Sequence, residues 1–312
     1  MKKDILFLSP VFTHNIWGGT GLRENFGYEI EGDDIGECWG IAAHENGDCL
    51  VNGEKKLSEV YREHPDWFGN IDSDRFPLLI KIIDAKDDLS IQVHPDDAYA
   101  KEHENGSFGK TECWYILSAP EGATLVAGHN AKTQEELREM VREGKFRELI
   151  REIPVSVGDF IQIDPGTVHA IKGGLTLLET QQNSDITYRL YDYDRLQNGK
   201  PRELHLEKSM DVITVPAKDP EEQVKRAEDI EREKKPNSLC PLHECGKYTV
   251  YLLDVEGTAS FPQDKNFLCM SVFEGEGKLN GHSVKKGDHL ILPCGYGEVT
   301  IEGMLRAICS TV

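Results

Sequence analysis

Apolar and polar positions divide most of the chain into short segments of period two. Phe76-Pro-Leu-Leu-Ile-Lys-Ile-Ile-Asp84 is a nearly continuous apolar run, which predicts a buried strand. Leu89-Ser-Ile-Gln-Val-His-Pro95 alternates instead. In an extended strand Ser90, Gln92 and His94 point to one face, and Ile91 and Val93 to the other. Glu112-Cys-Trp-Tyr-Ile-Leu117 resumes β character, and residues 155–196 are dense in Val, Ile, Thr and Tyr. Within that stretch Gln181, Asn183, Asp185, Thr187 and Arg189 share one parity, with Ile186, Tyr188 and Leu190 on the other. This predicts a single strand with a polar face turned to a barrel interior.

Helical spacing is confined to a few places. Thr133 followed by Glu136 is a capping-box signature, with Leu137, Met140 and Val141 on one face behind it. Gly144 ends that helix and Phe146, Leu149 and Ile150 begin a second, so a small helical insertion near 131–152 covers one side of a β structure. Asp96–Glu104 predicts a helical turn, and Ser58–Phe68 has a weak helical pattern. Residues 217–236 are almost wholly charged and are taken as a solvated linker or connecting helix, the main boundary of the chain. Beyond it, 237–312 predicts short strands separated by Gly-rich turns.

Two glycine patterns matter. Trp17-Gly18-Gly19-Thr20-Gly21 fails the dinucleotide fingerprint, because the third glycine falls at Glu24 and no apolar strand leads in. These glycines are expected to permit a tight turn with positive φ. Gly158-Asp159 through Gly166-Thr-Val-His169 and Gly287-Asp288 through Gly295-Tyr-Gly-Glu298 share Gly-Asp, an apolar centre and a second Gly at equal offsets. This is a degenerate repeat, and it predicts duplicated architecture with one working site.

Composition narrows the function classes. At 312 residues, with 38% hydrophobic and 29% charged residues, the chain suits two domains or one large β unit. It contains no apolar run of about 18 residues, so no membrane-spanning helix is predicted. The apolar stretch before Ser9-Pro10 is too short for a signal peptide, which predicts a cytoplasmic protein. A net charge of −20 argues against nucleic acid or an anionic membrane as partner. A small anionic ligand would need a local positive pocket. The eight cysteines are scattered without a CxxC, and Cys240-Pro-Leu-His-Glu-Cys245 matches no common zinc spacing, so free thiols are expected.

The Gly-Asp…Gly-Thr-Val-His169 stretch resembles the second motif of the cupin β-barrels. Asp164 stands where proline usually falls, with Pro165 one place later. The C-terminal copy keeps the proline as Pro293 but lacks the histidine. More specifically, residues 76–210 resemble the type I mannose-6-phosphate isomerases. The resemblance rests on Ile91-Gln-Val-His-Pro95, Gly109-Lys-Thr-Glu-Cys-Trp114, Gly166-Thr-Val-His-Ala-Ile171 and Gln181-Gln-Asn-Ser-Asp-Ile-Thr-Tyr-Arg189. Trp17-Gly-Gly also matches. The long helical domain of larger members is missing from the pattern, as in a short bacterial form.

That resemblance implies a mainly β fold of two cupin-like jelly-roll barrels or sandwiches. Residues 1–216 would be the catalytic unit, 217–236 the linker and 237–312 a degenerate cupin-like domain. It implies one zinc ion per chain held by Gln92, His94, Glu112 and His169. One carboxylate and three neutral ligands would leave a formal charge of +1 for Lewis acidity. It further implies isomerisation of mannose 6-phosphate to fructose 6-phosphate by proton transfer between C2 and C1 through a cis-enediol. Arg189 would stabilise charge with Asp185 nearby, both touching substrate. Lys110 has two open roles, the base or a phosphate ligand. The expected partner is a small sugar phosphate, and the chain a monomer or small homo-oligomer. Two rival readings stand beside this one: a non-catalytic sugar-phosphate sensor on the same barrel, and an iron-dependent oxygenase. Tyr191–Arg195 and Arg202–His205 are read as rim or packing residues.

Overall fold

The computed structural model describes residues 3–312, in which three large antiparallel sheets are accompanied by two two-stranded ones. A seven-stranded sheet runs in the order Val224–Lys225, Phe160–Ile163, Glu112–Ser118, Thr176–Gln182, Leu78–Asp84, Ile35–Ile41, Val11–Gly19. A five-stranded sheet runs Ile150–Pro154, Thr124–His129, His169–Ala170, Ile91–Val93, Tyr188–Tyr191. The third sheet, of nine strands, holds the C-terminal strands together with Leu6–Ser9 and Leu50–Val51.

The sheets stack as layers rather than closing into barrels, and the apolar run Leu78–Asp84 shows why it is apolar throughout. One face of its sheet, with Ile83, Trp114, Ile116 and Ile161, packs on Leu125, Ile153 and Ile171 of the five-stranded layer. The other face, with Ile80, Tyr115 and Leu178, packs on Phe267, Cys269 and Ile291 of the C-terminal sheet. A strand buried on both faces has no solvent-facing positions to alternate. The helical insertion, Gln134–Arg142 and Phe146–Leu149, lays Leu137 and Leu149 on the outer side of the five-stranded sheet, against Val126 and Ala170. Its cap forms as expected: Thr133 Oγ1 accepts from Glu136 N at 3.1 Å, and Glu136 Oε2 accepts from Lys132 N at 2.6 Å.

The internal repeat is a repeat of geometry. Asp159 Oδ2 accepts from Ser156 N at 3.0 Å, and Asp288 Oδ2 accepts from Lys285 N at 2.8 Å, each three residues back. The glycines before them, Gly158 and Gly287, have φ of 90° and 91°. In each copy the glycine N–H and the aspartate carbonyl pair with one neighbouring strand, at Ile116 and Val272 respectively.

Several expectations change. The C-terminal strands are long, not short: Thr249–Gln263, Phe267–Leu279 and Gly297–Thr311. Gly257, Gly303 and Gly277 lie side by side in register, so the glycines bend three paired strands together without breaking them. Gly18, Gly19 and Gly21 are not among the positive-φ residues. They permit close approach instead, since a Cβ at Gly18 would lie 2.5 Å from Asp34 O and one at Gly21 would lie 2.3 Å from Asp84 Oδ2. Within residues 217–236, expected as a solvated linker or connecting helix, Ala227–Glu233 is helical with Ile230 buried, and Val224–Lys225 adds a strand to the seven-stranded sheet against Phe160–Ile161. All eight cysteines are free.

Candidate metal centre and sugar-phosphate cavity

Local backbone geometry puts three ligand side chains at one point. Ile91–Val93 is flanked by two strands, with Gln92 opposite His169 on one side and opposite Arg189 on the other. Residues directly opposed in adjacent strands share a face, so His169, Gln92 and Arg189 form one row. His94 follows the strand end, where Gly166 N–H bonds its carbonyl at 2.9 Å. Glu112 opens its own strand in the facing seven-stranded sheet.

The donor atoms converge between the two sheets. His94 Nε2 lies 3.4 Å from Glu112 Oε2, and His169 Nε2 lies 3.3 Å from Glu112 Oε1. Ligand atoms of these three residues all fall within 4.8 Å of one another. Gln92 joins them, its amide nitrogen 3.3 Å from His169 Nε2. The amide's oxygen and nitrogen exchange on a half-turn of the side chain, so the same position can present Oε1.

Each imidazole is oriented by its other nitrogen. His94 Nδ1 donates to Ile186 O at 2.7 Å, and His169 Nδ1 donates to Thr167 O at 2.9 Å. This leaves both Nε2 lone pairs aimed at Glu112, the second-sphere arrangement typical of metal-bound histidine. Burial, then the Lys110 charge, lowers His94 to about 3, and burial lowers His169 as well, so both rings are neutral. Burial would raise Glu112, but the Lys110 charge outweighs it and holds the carboxyl well below its ordinary range.

Both Glu112 oxygens are buried and neither receives a hydrogen bond of good geometry, although Lys110 Nζ stands 2.7 Å from Oε2. A fully buried carboxylate without hydrogen bonds is costly. A divalent cation among two neutral imidazoles, an amide oxygen and this carboxylate answers that cost, and the donor set suits zinc. The residues therefore fit a metal.

Beside the ligands lies a cavity of about 190 Å³ whose lining includes Gln92, Lys110, Asp185, Arg189 and Arg202. Three further charged residues in that lining escape the sequence reading: Glu37, Lys81 and Glu179. Lys81 Nζ sits 3.5 Å from Glu37 Oε1 and 3.3 Å from Glu179 Oε2. Glu37 Oε2 accepts from Trp39 Nε1 at 2.8 Å, and Glu179 Oε1 accepts from Trp114 Nε1 at 3.1 Å. Burial and the nearby Glu112 charge raise Glu179, whereas for Glu37 the Lys81 charge and the Trp39 bond overcome burial and lower it. The signal for Lys81 was present as the one charge inside an apolar run. The larger hollow of about 1220 Å³, at the glycine bend of the C-terminal sheet, shares none of these residues.

The expected polar face does not exist as one strand. Thr176–Gln182 ends in the seven-stranded sheet and Tyr188–Tyr191 belongs to the five-stranded one, with the chain crossing between them. Gln181 Nε2 bonds Ser184 O at 2.5 Å and Asn183 Nδ2 bonds Phe76 O at 2.8 Å, so these side chains fasten the crossing. Asp185, expected at the substrate, stands at the cavity mouth, where it accepts from Asn46 Nδ2 at 2.6 Å and lies 3.6 Å from His44 Nε2. Arg189 does face the cavity. Its Nη1 donates to Glu203 O at 2.8 Å while its buried Nε lacks a partner. Arg202, read as rim or packing, lines the same cavity.

Comparison with known proteins agrees with this geometry. The family described as phosphomannose isomerase type I, catalytic domain, matches residues 5–115, and the mannose-6-phosphate isomerase cupin domain matches residues 241–312. Mannose-6-phosphate isomerase ManA of Bacillus subtilis (strain 168) is 50% identical, covering 99% of both chains. The mannose-6-phosphate isomerase of Streptococcus mutans serotype c is 45% identical over 98% of this chain and 97% of its own. The crystal structure of a mannose 6-phosphate isomerase from Bacillus subtilis superimposes with a TM-score of 0.90 at 42% identity, covering 99% of both chains. A putative mannosephosphate isomerase from Archaeoglobus fulgidus, 22% identical, shares the fold at a TM-score of 0.78 over 99% of this chain and 97% of its own.

Proposed function

The chain belongs to the type I phosphomannose isomerases, and from that membership we propose that it interconverts D-mannose 6-phosphate and D-fructose 6-phosphate with one zinc ion per chain. The observation that carries the reading is Glu112, a buried carboxylate met by Lys110 but with no hydrogen bond of good geometry at either oxygen, between two imidazoles oriented by backbone carbonyls.

Gln92, His94, Glu112 and His169 would hold the ion. When bound, it supplies a Lewis acid that strengthens the carbon acid of a hydroxyl–carbonyl pair. The remaining steps fall to side chains lining the cavity. Arg189 and Arg202 stand together at one end, and burial and the Arg202 charge both lower Arg189. Asp192 already pairs with Arg202, but Arg189 beside it keeps a buried Nε without a partner and so has donors left for a second anion; the 6-phosphate of the substrate answers that need. This places the phosphate at the arginines and frees Lys110 from that role.

Lys110, 3.1 Å from His94 Nε2 and 2.7 Å from Glu112, is a donor positioned for the sugar oxygens on which negative charge develops. Glu179 is the proton carrier between C2 and C1. Its Oε2 accepts no hydrogen bond of good geometry, with Lys81 Nζ 3.3 Å away, so a lone pair on the cavity wall is left to take a proton. Taking the proton from C2 and returning it to C1 on one face leaves the overall reaction redox-neutral.

The test is metal analysis joined to an assay that detects fructose 6-phosphate. His94→Ala and His169→Ala are each expected to lose the bound metal and essentially all isomerisation. Arg189→Ala should retain metal while kcat/KM for mannose 6-phosphate falls about 100-fold, chiefly through KM. Full activity in metal-free protein sinks the reading, and elemental analysis of active protein separates zinc from iron.

A further inference from the structure

Asp192 is a buried carboxylate to which the proposed reaction assigns no role. It is 4% exposed, follows the edge strand Tyr188–Tyr191, and lies outside the metal ligands. Arg202 engages it with two bonds, Nε to Oδ2 at 2.7 Å and Nη2 to Oδ1 at 2.5 Å. Arg195 adds a third, Nη2 to Oδ1 at 2.7 Å.

The backbone around it is unusual. Tyr193 and Asp194 both have φ of 55°, a left-handed pair of non-glycine residues. Such residues persist where surroundings over-determine them, and they gather near functional sites. Here the turn returns Arg195 onto Asp192, with Arg195 N–H bonding Asp192 O at 3.1 Å. Arg195 Nη1 also bonds Asp88 O at 2.5 Å, anchoring the turn across the sheet. The exposed hairpin Leu196–Gln197 and Lys200–Pro201 follows, and Arg202 leaves it.

We infer that Asp192 is a positioning residue: it holds the Arg202 guanidinium in the plane that faces Arg189, and so sets discrimination for a phosphate-bearing sugar. The inference rests on the phosphate assignment above. Bidentate pairing fixes an arginine's orientation as well as its distance. Arg202 hangs from a hairpin exposed to water, and Arg189 and Arg195 repel it. Without Asp192, that repulsion turns the freed guanidinium outward. Removing a negative charge also strengthens the general attraction for an anion, but that attraction has no direction, whereas the two bonds to Asp192 fix the fork that must meet a phosphate. The lost orientation therefore wins.

Asp192→Asn keeps the shape and removes the charge. The expected result is a KM for mannose 6-phosphate raised about tenfold, with kcat within about twofold and bound metal unchanged. Competitive inhibition by inorganic phosphate should weaken by a similar factor. In the double variant with Arg202→Ala, the two effects on KM should fail to add, because Asp192 acts through Arg202. Additive effects, or an unchanged KM and phosphate inhibition in Asp192→Asn, overturn the inference. If Asp192→Asn does not fold, Arg195→Gln loosens the same carboxylate, and the same shifts decide. A wild-type chain that does not isomerise mannose 6-phosphate refutes the proposed function instead, so the two failures are distinguishable.

Discussion

Lys81 and Glu179 are register partners in adjacent strands, and the positions beside them are Trp39 and Trp114. Charged side chains inside apolar strands are costly unless paired, and this row pairs them, with the indoles of Trp39 and Trp114 serving the two carboxylates that flank Lys81. The sequence displayed Lys81 only as an interruption of an apolar run, because the charge that answers it lies 98 residues on. The proposed ligands were easier to pick out, since Gln92 and His94 stand two apart and His169 closes a glycine turn. If Glu179 carries the proton, Glu179→Gln should lower kcat by about 100- to 10,000-fold with metal content and KM near wild type. Exchange of the C2 hydrogen with solvent deuterium should disappear in parallel. A variant that keeps its exchange would return the proton to Lys110.

At the scale of elements, parity reasoning worked where a strand stayed in one sheet and failed where it did not. The alternation from Gln181 to Arg189 was genuine in the sequence, but the chain leaves one layer after Gln182 and enters the other at Tyr188. No local pattern marks that crossing, which is held by the side-chain amides of Gln181 and Asn183 donating to backbone carbonyls. The C-terminal glycines misled in the opposite sense, as bends in three long strands rather than ends of short ones. A Cβ at Gly277 would lie 2.5 Å from Glu302 O, a backbone atom that cannot swing aside. Gly277→Ala should therefore cost about 1–3 kcal/mol in urea unfolding, while activity per folded molecule and bound metal stay unchanged.

Across the whole molecule, the acidic surface and the paired charges of the cavity are separate systems. A net charge of −20 coexists with Lys81, Lys110, Arg189 and Arg202 set beside Glu37, Glu179 and Asp185 in one small cavity, so the overall charge pointed to excluded partners and not to the ligand. The layers are joined by contacts that the linear chain gives no hint of. Buried His289 of the C-terminal sheet bonds Ser271 Oγ at 2.8 Å and, through Nε2, lies 3.0 Å from Tyr28 OH in the N-terminal segment. Burial lowers His289 from its ordinary 6.5 to about 4. Its unfolded form thus binds a proton between those values that the folded form refuses, so its contribution is present above about 6.5 and is lost as pH falls toward 4. Thermal unfolding at pH 7.5 and pH 5 should show a drop in Tm that is smaller in His289→Gln than in wild type. An equal drop would place the pH sensitivity elsewhere.

The strand Leu6–Ser9 is hydrogen-bonded to His289–Pro293, about 280 residues away. At a synthesis rate of roughly 5–20 residues per second, its partner emerges tens of seconds later. Until then one of the earliest strands made has an open edge, and the C-terminal sheet lacks the seam that ties it to the beginning of the chain. The enzyme's assembly is consequently timed by its last strands: a ribosome-bound chain can have every proposed metal ligand outside the tunnel and still lack the layer that backs them.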